Sequence, residues 1–388
     1  MNRRLALAGA TIFDGVDWHE EDAALLAEGG DVVGVMPRKS VPADTDTVEL
    51  PGGILAPGFV DLQVNGGGGV MLNDHQSVEG IRTICAAHAR FGTTALLATL
   101  ITDTPEITQA AIAAAGEAAR LGVPGFLGLH LEGPHLSASR KGAHDAKLIR
   151  PMNDDDEAAL IAAKKEIPVL LTTVAPESVD PDRIEALVEA GVVVSLGHSD
   201  TSYLLARASA DAGATMVTHL FNAMAPLANR EPGLVGAALE AGTLHAGLIA
   251  DGVHVDAATI AIALRAKNGP ARIFLVTDAM ATIGTDMTEF TLNGRTIHRE
   301  NGSLRLADGT LAGADLDMIS AVRFVHQKVG IERGEALRMA SLYPARAMGV
   351  DHRIGRLGPG TAASMVHLSD GLDVRSVWIE GEKVFGQD

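Results

Sequence analysis

Eight side chains able to act as ligands, acids or bases, Asp61, Gln63, Asn65, Glu132, His198, His219, His254 and Asp278, stand at or just after the ends of short apolar runs. Glu132, His198 and His219 form a one-carboxylate, two-imidazole set, which suits a divalent metal of the zinc type and leaves coordination positions for water. A metal so held brings the pKa of bound water toward neutrality and polarises a carbonyl. Asp278, the last of the group, is placed to take a proton from that water and hand it to a leaving group. Alone, a histidine or aspartate at such a place is commonly a structural hydrogen-bonding residue or a helix cap. It is the joint placement at successive run ends that marks this set as chemical.

The runs themselves are Gly58–Val64, Thr94–Leu100, Phe126–Leu131, Pro168–Val174, Val192–Leu196, Thr215–His219, Ala246–Ala250 and Ile273–Val276. Between them lie Ala-, Leu-, Glu- and Arg-rich stretches of helical length: Ser77–Arg90, Pro105–Leu121, Ala158–Lys165, Asp182–Glu189, Ser202–Ala212 and Ala257–Lys267. Eight strands that mostly alternate with helices predict parallel βαβ units closing a (β/α)8 barrel of the TIM type, whose reactive groups gather at the C-terminal strand ends. An open doubly wound sheet is the alternative that the spacing allows. Before Pro57 and after Arg356 the texture changes to short runs broken by Gly-containing turns, the pattern of small antiparallel strands. The expected division is a small β-sandwich domain from both termini, residues 1–54 and 352–388, around a barrel of residues 55–351. Phe290–Asp308 reads as an inserted hairpin.

The chain has 388 residues, 47% hydrophobic and 21% charged, which predicts a packed globular protein. A net charge of −18 with no Lys/Arg run argues against nucleic acid and anionic lipid as partners. Any anionic substrate must then be met by a few placed basic residues. The single cysteine, Cys85, excludes an internal disulfide framework and reads as buried and inert; it fits a reducing compartment. Met1-Asn2-Arg3-Arg4-Leu5 opens no signal-peptide core, and no uncharged run reaches the roughly 18 residues of a membrane span, so the expected location is cytoplasmic. Gly66–Gly69 lacks a following Gly-Lys-Ser/Thr and reads as a tight chain reversal rather than a nucleotide loop. Met71 and Met280 read as packing residues. His130 shares a strand face with Glu132, so either a supporting role behind the metal or a purely structural one is open.

Six blocks carry a family resemblance: Pro57-Gly58-Phe59-Val60-Asp61-Leu62-Gln63-Val64-Asn65-Gly66, His130-Leu131-Glu132-Gly133-Pro134, Gly197-His198-Ser199-Asp200, Thr218-His219-Leu220-Phe221-Asn222-Ala223-Met224, Ala250-Asp251-Gly252-Val253-His254 and Val276-Thr277-Asp278-Ala279. In content and order the chain resembles the N-acetylglucosamine-6-phosphate deacetylases of the amidohydrolase superfamily, nearly end to end. The resemblance implies removal of the acetyl group from a phosphorylated amino sugar. It implies metal binding by Glu132, His198 and His219, proton transfer by Asp278, and a substrate-contacting His254 that helps polarise the acetyl carbonyl. Asn222, Ala223 (through its backbone N–H), His144 and Arg230 match positions on the phosphate side. One such arginine reaches in from a neighbouring subunit in the family, which implies a homodimer. Many superfamily members hold a second metal with His-x-His where Gln63 and Asn65 stand here; amides are poor ligands for such an ion. One tightly held divalent metal per chain is therefore expected, zinc first, with iron, manganese, cobalt or cadmium as alternatives and a second ion in doubt. Gln63 is expected beside the metal, bonded to its water. The competing readings are a deacetylase of another N-acetyl amino-sugar phosphate such as the galactosamine epimer, a cyclic-amide hydrolase, and, in a different class, a non-catalytic barrel scaffold.

Overall fold

The computed structural model describes residues 4–19 and 22–386; residues 1–3 of the opening segment lie outside the described residues. All eight apolar runs enter one sheet, as β1 (Phe59–Val64), β2 (Thr93–Ile101), β3 (Phe126–Glu132), β4 (Leu170–Val174), β5 (Val193–Leu196), β6 (Met216–Val217), β7 (His245–Leu248) and β8 (Ile273–Leu275). Each neighbouring pair is parallel. Every residue of β1, β2 and β4 is buried, because helices cover one side and the barrel interior the other. That double burial produces the continuous apolar runs in place of alternation.

The ring closes just past the formal strand ends. Asp278 N–H donates to the Gln63 carbonyl (3.0 Å), Asn65 N–H donates to the Ala279 carbonyl (2.9 Å), and Val64 pairs with Ala279. The chain is a (β/α)8 barrel. Helices Val78–Ala89, Pro105–Arg120, Asp154–Glu166, Tyr203–Asp211 and Ala257–Ala266 begin where Ser77, Thr104, Asn153, Ser202 and Asp256 accept a first-turn backbone N–H with their side chains. Those bonds satisfy donors that the helices themselves cannot. Gly233–Glu240 is a helix that the residue pattern does not announce: Gly233 to Leu239 are all buried, so no polar face marks its period.

The segment expected as a hairpin carries a third strand. Glu289–Leu292, Arg295–Glu300 and Ser303–Leu306 form an antiparallel sheet, because Asn301 and Gly302, at φ 51° and 73°, turn the chain a second time. At Gly66–Met71 the chain does reverse tightly, with Gly68 and Gly69 at φ 64° and 84°, values that side-chain-bearing residues rarely adopt.

Strands from both ends of the chain build a sandwich. One sheet runs in the order Asp31–Pro37, Ala23–Glu28, Arg4–Ala8, Asp46–Glu49; the other runs Glu382–Phe385, Val374–Ile379, Met365–Leu368, Ile54–Pro57, Thr11–Phe13, Trp18–His19. Leu7, Ile12, Leu25, Leu55, Met365 and Trp378 share its core. Strand Ile54–Pro57 belongs wholly to this second sheet, so the boundary expected after residue 54 falls inside a strand.

Barrel packing leaves no room at Gly128 of β3, four residues before Glu132. A Cβ there would stand 2.0 Å from the Val169 carbonyl oxygen, a backbone atom that cannot swing aside. Gly128→Ala is expected to cost about 1–3 kcal/mol through overpacking. The check is the urea midpoint of the two proteins, and an unchanged midpoint counts against this account of the interior.

Candidate active site

The C-terminal ends of the barrel strands enclose a cavity of about 220 Å³, lined by Asn65, Ile101, Glu132, Gly142, Ala143, His144, His198, His219, Asn222, Ala223, Ile249, His254, Asp278, Thr310, Leu311 and Gly313. A larger cavity, about 400 Å³, lies between helices Pro105–Arg120 and Asp154–Glu166 and contains none of the eight candidates. Chemistry rather than size distinguishes the two.

Glu132 ends β3, and His198 and His219 follow β5 and β6. Their ligand atoms face one another: Glu132 Oε1 is 3.2 Å from His198 Nε2 and 3.0 Å from His219 Nε2, and the two nitrogens are 3.1 Å apart. Ligands of a tetrahedral zinc ion, at bonds near 2.0–2.1 Å, are about 3.3 Å apart, so the three atoms are spaced as a metal requires. Tautomer chemistry agrees. His198 Nδ1 lies 2.8 Å from the Arg140 carbonyl, which only accepts, so Nδ1 carries the hydrogen and Nε2 the lone pair. Among the described residues this is the one His/Cys/Asp/Glu group whose ligand atoms could hold a metal ion. Burial opposes the Glu132 charge, but the polar rings of His144, His198 and His219 packed against it outweigh that and hold the carboxyl well below its usual range.

Gln63 and Asn65 occupy the space beside this set. Gln63 Nε2 donates to Glu132 Oε1 (2.9 Å) and to Asp278 Oδ1 (3.1 Å); Asn65 Nδ2 donates to Asp278 Oδ1 (2.7 Å). Carboxylate acceptors fix both amides with nitrogen inward, and an amide nitrogen has no lone pair to give a metal. Gln63 thus stands as a neutral donor between the two carboxylates, with Asn65 beside it on Asp278. Asp278 is pushed up to about 6, first by burial and then by repulsion from Glu132.

The backbone bends to aim these groups. His198, His219, Phe221, Ala223 and Asp278 all have positive φ, between 29° and 78°. Of the nine such non-glycine residues among those described, His198, His219, Ala223 and Asp278 line this cavity and Phe221 lies in the same loop, which is where stored strain is expected when geometry serves a function.

His254 lines the cavity with its ring oriented by Asp251, whose Oδ2 is 2.6 Å from Nδ1. Asn222 turns its amide back toward the His219 and Leu220 carbonyls, both at 3.3 Å, while Ala223 reaches the cavity wall. His144, expected on the phosphate side, lines the same cavity as Asn222 and Ala223 and lies against the metal-binding set: its ring centre is 4.4 Å from that of His198, and Nε2 is 3.6 Å from Glu132 Oε2. Arg230 is exposed on the loop before Gly233–Glu240 and does not line the cavity of its own chain. His130 touches the Leu62 carbonyl (3.1 Å) and Thr173 Oγ1 (2.7 Å), so it ties β1 to β4 beneath the site and makes no bond to the Glu132 carboxylate. Cys85 is buried, and burial pushes its thiol up to about 12.

Sequence reasoning passed over Thr310, Leu311 and Gly313. They come from the end of the inserted sheet, which reaches across the barrel mouth: Asn293 donates to the Thr102 carbonyl and Arg295 to that of Ala143. The run Gly309-Thr310-Leu311-Ala312-Gly313 carries no charged or metal-binding side chain that could have flagged it.

The donor geometry predicts that His198→Ala loses tight metal, and that the unaltered protein, dialysed and analysed for metals, retains about one ion per chain. Two full ions per chain, or full occupancy in His198→Ala, would contradict the site as described.

A sequence profile of the amidohydrolase family matches residues 54–384. The N-acetylgalactosamine-6-phosphate deacetylase of Shewanella sp. (strain ANA-3) is 40% identical to this chain, over 94% of it and 92% of that protein. The N-acetylglucosamine-6-phosphate deacetylase of Haemophilus influenzae is 35% identical, over 93% and 94% respectively. The crystal structure of N-acetylglucosamine-6-phosphate deacetylase from Pasteurella multocida superposes with a TM-score of 0.94 at 35% identity, covering 98% of this chain and 99% of that one. Among the described residues no helix is long and apolar enough to cross a membrane. Likeness of sequence and of fold, each over nearly the whole length, leads to one assignment: the chain belongs to the amidohydrolase family.

Proposed function

We propose that this protein hydrolyses the acetamide of N-acetylglucosamine 6-phosphate to acetate and glucosamine 6-phosphate. The carrying observation is a single cavity in which Glu132, His198 and His219 converge beside an Asp278 carboxylate held by two amides. Relatives named for this activity, matched over nearly their whole length, support it. Glu132, His198 and His219 would hold one divalent ion, and their nitrogen and oxygen donors suit zinc. When bound, the ion supplies Lewis acidity, making a water more acidic and the acetyl carbonyl more electrophilic.

The chain's own residues do the proton work. Asp278 accepts the proton of the attacking water and passes it to the amide nitrogen, since the amine leaves badly unless protonated. Gln63 and Asn65 hold that carboxylate through Oδ1, leaving Oδ2 to meet the water. His254, oriented by Asp251, faces the acetyl carbonyl. We place His144 at the acetyl end as well, rather than at the phosphate. Thr102 donates its hydroxyl to the Glu132 carbonyl and so receives Nδ1–H of His144, which leaves a lone pair on Nε2. Burial first, then repulsion from His198, brings this imidazole down to about 4, so it is neutral and has no hydrogen for a phosphate oxygen. Asn222 and the backbone N–H of Ala223 remain the phosphate-side groups, joined by Arg230.

Because Arg230 is exposed in its own chain, its phosphate role requires a homodimer that carries it into the other subunit's cavity. The side chain of Leu227, 58% exposed on the same loop, supplies apolar surface for such a contact. The acidic chain with one buried cysteine fits a cytoplasmic enzyme. A second reading, the galactosamine epimer, is favoured by the 40% identical Shewanella relative. Measuring kcat/KM for both N-acetylhexosamine 6-phosphates and their unphosphorylated forms decides. Preference for the gluco phosphate supports the proposal, and a tenfold or greater preference for the galacto phosphate replaces it.

Asp278→Asn keeps shape but loses the basic oxygen, so kcat is expected to fall by roughly two or more orders of magnitude with metal retained. A carboxylate acts as a base only when ionised. Activity should therefore fall on acidification through a pKa at or below about 6, since a bound cation pulls Asp278 further down from its buried value. The kcat profile across pH for both proteins, with metal content measured alongside, checks this; a variant with the same kcat and the same acid limb refutes the role.

Arg230→Ala should raise KM for the phosphorylated substrate with little effect on the unphosphorylated one. Hybrid dimers of Arg230→Ala and Asp278→Asn chains should recover activity, and absence of recovery in demonstrated hybrids argues against sharing across the interface.

A further inference from the structure

Asp61 has no place in the chemistry above, yet it is a fully buried carboxylate where the barrel closes without a strand ladder. Its Oδ1 accepts the backbone N–H of Gln63 (3.3 Å) and of Thr277 (3.2 Å), and its Oδ2 accepts the Thr277 hydroxyl (2.5 Å). The Thr277 oxygen in turn accepts the Ala279 N–H at 3.3 Å. Both neighbours of Asp278 are thus tied to one side chain, the first directly and the second through a hydroxyl. Asp278 itself stands at φ 52°, a left-handed conformation that is uncommon for a residue with a side chain and is favoured when its surroundings hold it.

We infer that Asp61 and Thr277 are positioning residues for proton transfer, locking the backbone turn that aims the Asp278 carboxylate at Gln63, Asn65 and the metal-binding set. The inference rests on the reading of Asp278 as the proton-transfer group. A carboxylate is the side chain the place requires. It offers two oxygens to three donors and spans the gap between β1 and the segment after β8, where a backbone carbonyl would serve one strand only. Asparagine could still accept the two N–H groups through its oxygen, but its NH2 would force the Thr277 hydroxyl to turn away and accept. Valine at position 277 keeps the shape and removes the hydroxyl, which frees Ala279 N–H and one carboxylate oxygen together.

The experiment compares kcat, KM, metal per chain and melting temperature for Thr277→Val, Thr277→Ser and Asp61→Asn, with Asp278→Asn and the Thr277→Val/Asp278→Asn double variant. Thr277→Val is expected to lose about 10–100-fold in kcat with KM and metal content changed by less than about twofold. Thr277→Ser should recover most of that loss, and Asp61→Asn should fall between. Where Asp278 is already Asn, adding Thr277→Val should cost less than about twofold more, because the positioned group is gone. A wild-type kcat in Thr277→Val overturns the inference, as does a fully additive loss in the double variant or a drop matched by lost metal. If Asp61→Asn does not fold, the Thr277 pair and the double variant still decide. A wild-type kcat in Asp278→Asn removes the reading of Asp278 itself, whereas an inactive Asp278→Asn with a normal Thr277→Val removes only the positioning role.

Discussion

Glu132 is an ionised carboxylate with almost no access to water, and the architecture around it answers that cost. Stripping a carboxylate of its hydration is tolerable only when donors and a cation replace the lost water. Gln63, His144, His198 and His219 crowd its two oxygens from four different segments of the chain. No local stretch of sequence could deliver those four groups to one point. A closed barrel can, because its strand ends are brought round a circle a few ångströms wide. The folded ring and the charge at its mouth therefore depend on each other: without the ring there is nothing to solvate Glu132, and without that solvation Glu132 is a liability at the end of β3.

The sequence made the barrel legible because its strands are covered on both faces and so appear as uninterrupted apolar runs. The reactive residues were legible because each follows such a run. What stayed hidden lies in contacts between distant segments or in elements with no periodic face. The wholly buried helix Gly233–Glu240 shows no amphipathic period, and the third strand of the insert hinges on one Asn-Gly turn. Thr310 to Gly313 enter the cavity by way of a sheet whose position over the barrel mouth no residue pattern encodes. His144 and Arg230 illustrate two limits of reading by motif. His144 folds back against the metal-binding set, and Arg230 is exposed on its own chain, so the role proposed for it rests on the proposed dimer.

Gln63 and Asn65 bring neutral donors to a site built around two carboxylates. Gln63 bridges Glu132 and Asp278 with its N–H groups, and Asn65 adds a second donor to Asp278. Neutral donors cost less to bury than a charge and need no supply of metal. They also leave Asp278 less stabilised as an anion, in keeping with the proton transfer proposed for it.

The pairing of Ile54–Pro57 with Met365–Leu368 also constrains the order of events during synthesis. These strands are about 310 residues apart, and at roughly 5–20 residues per second the earlier one leaves the ribosome some 15–60 s before its partner exists. Through that interval the first half of the sandwich has an unpaired edge and an apolar face, while the whole barrel is made in between. The nascent chain must therefore be either sheltered or slow to aggregate, a demand that falls on the earliest residues synthesised although the benefit accrues to the last.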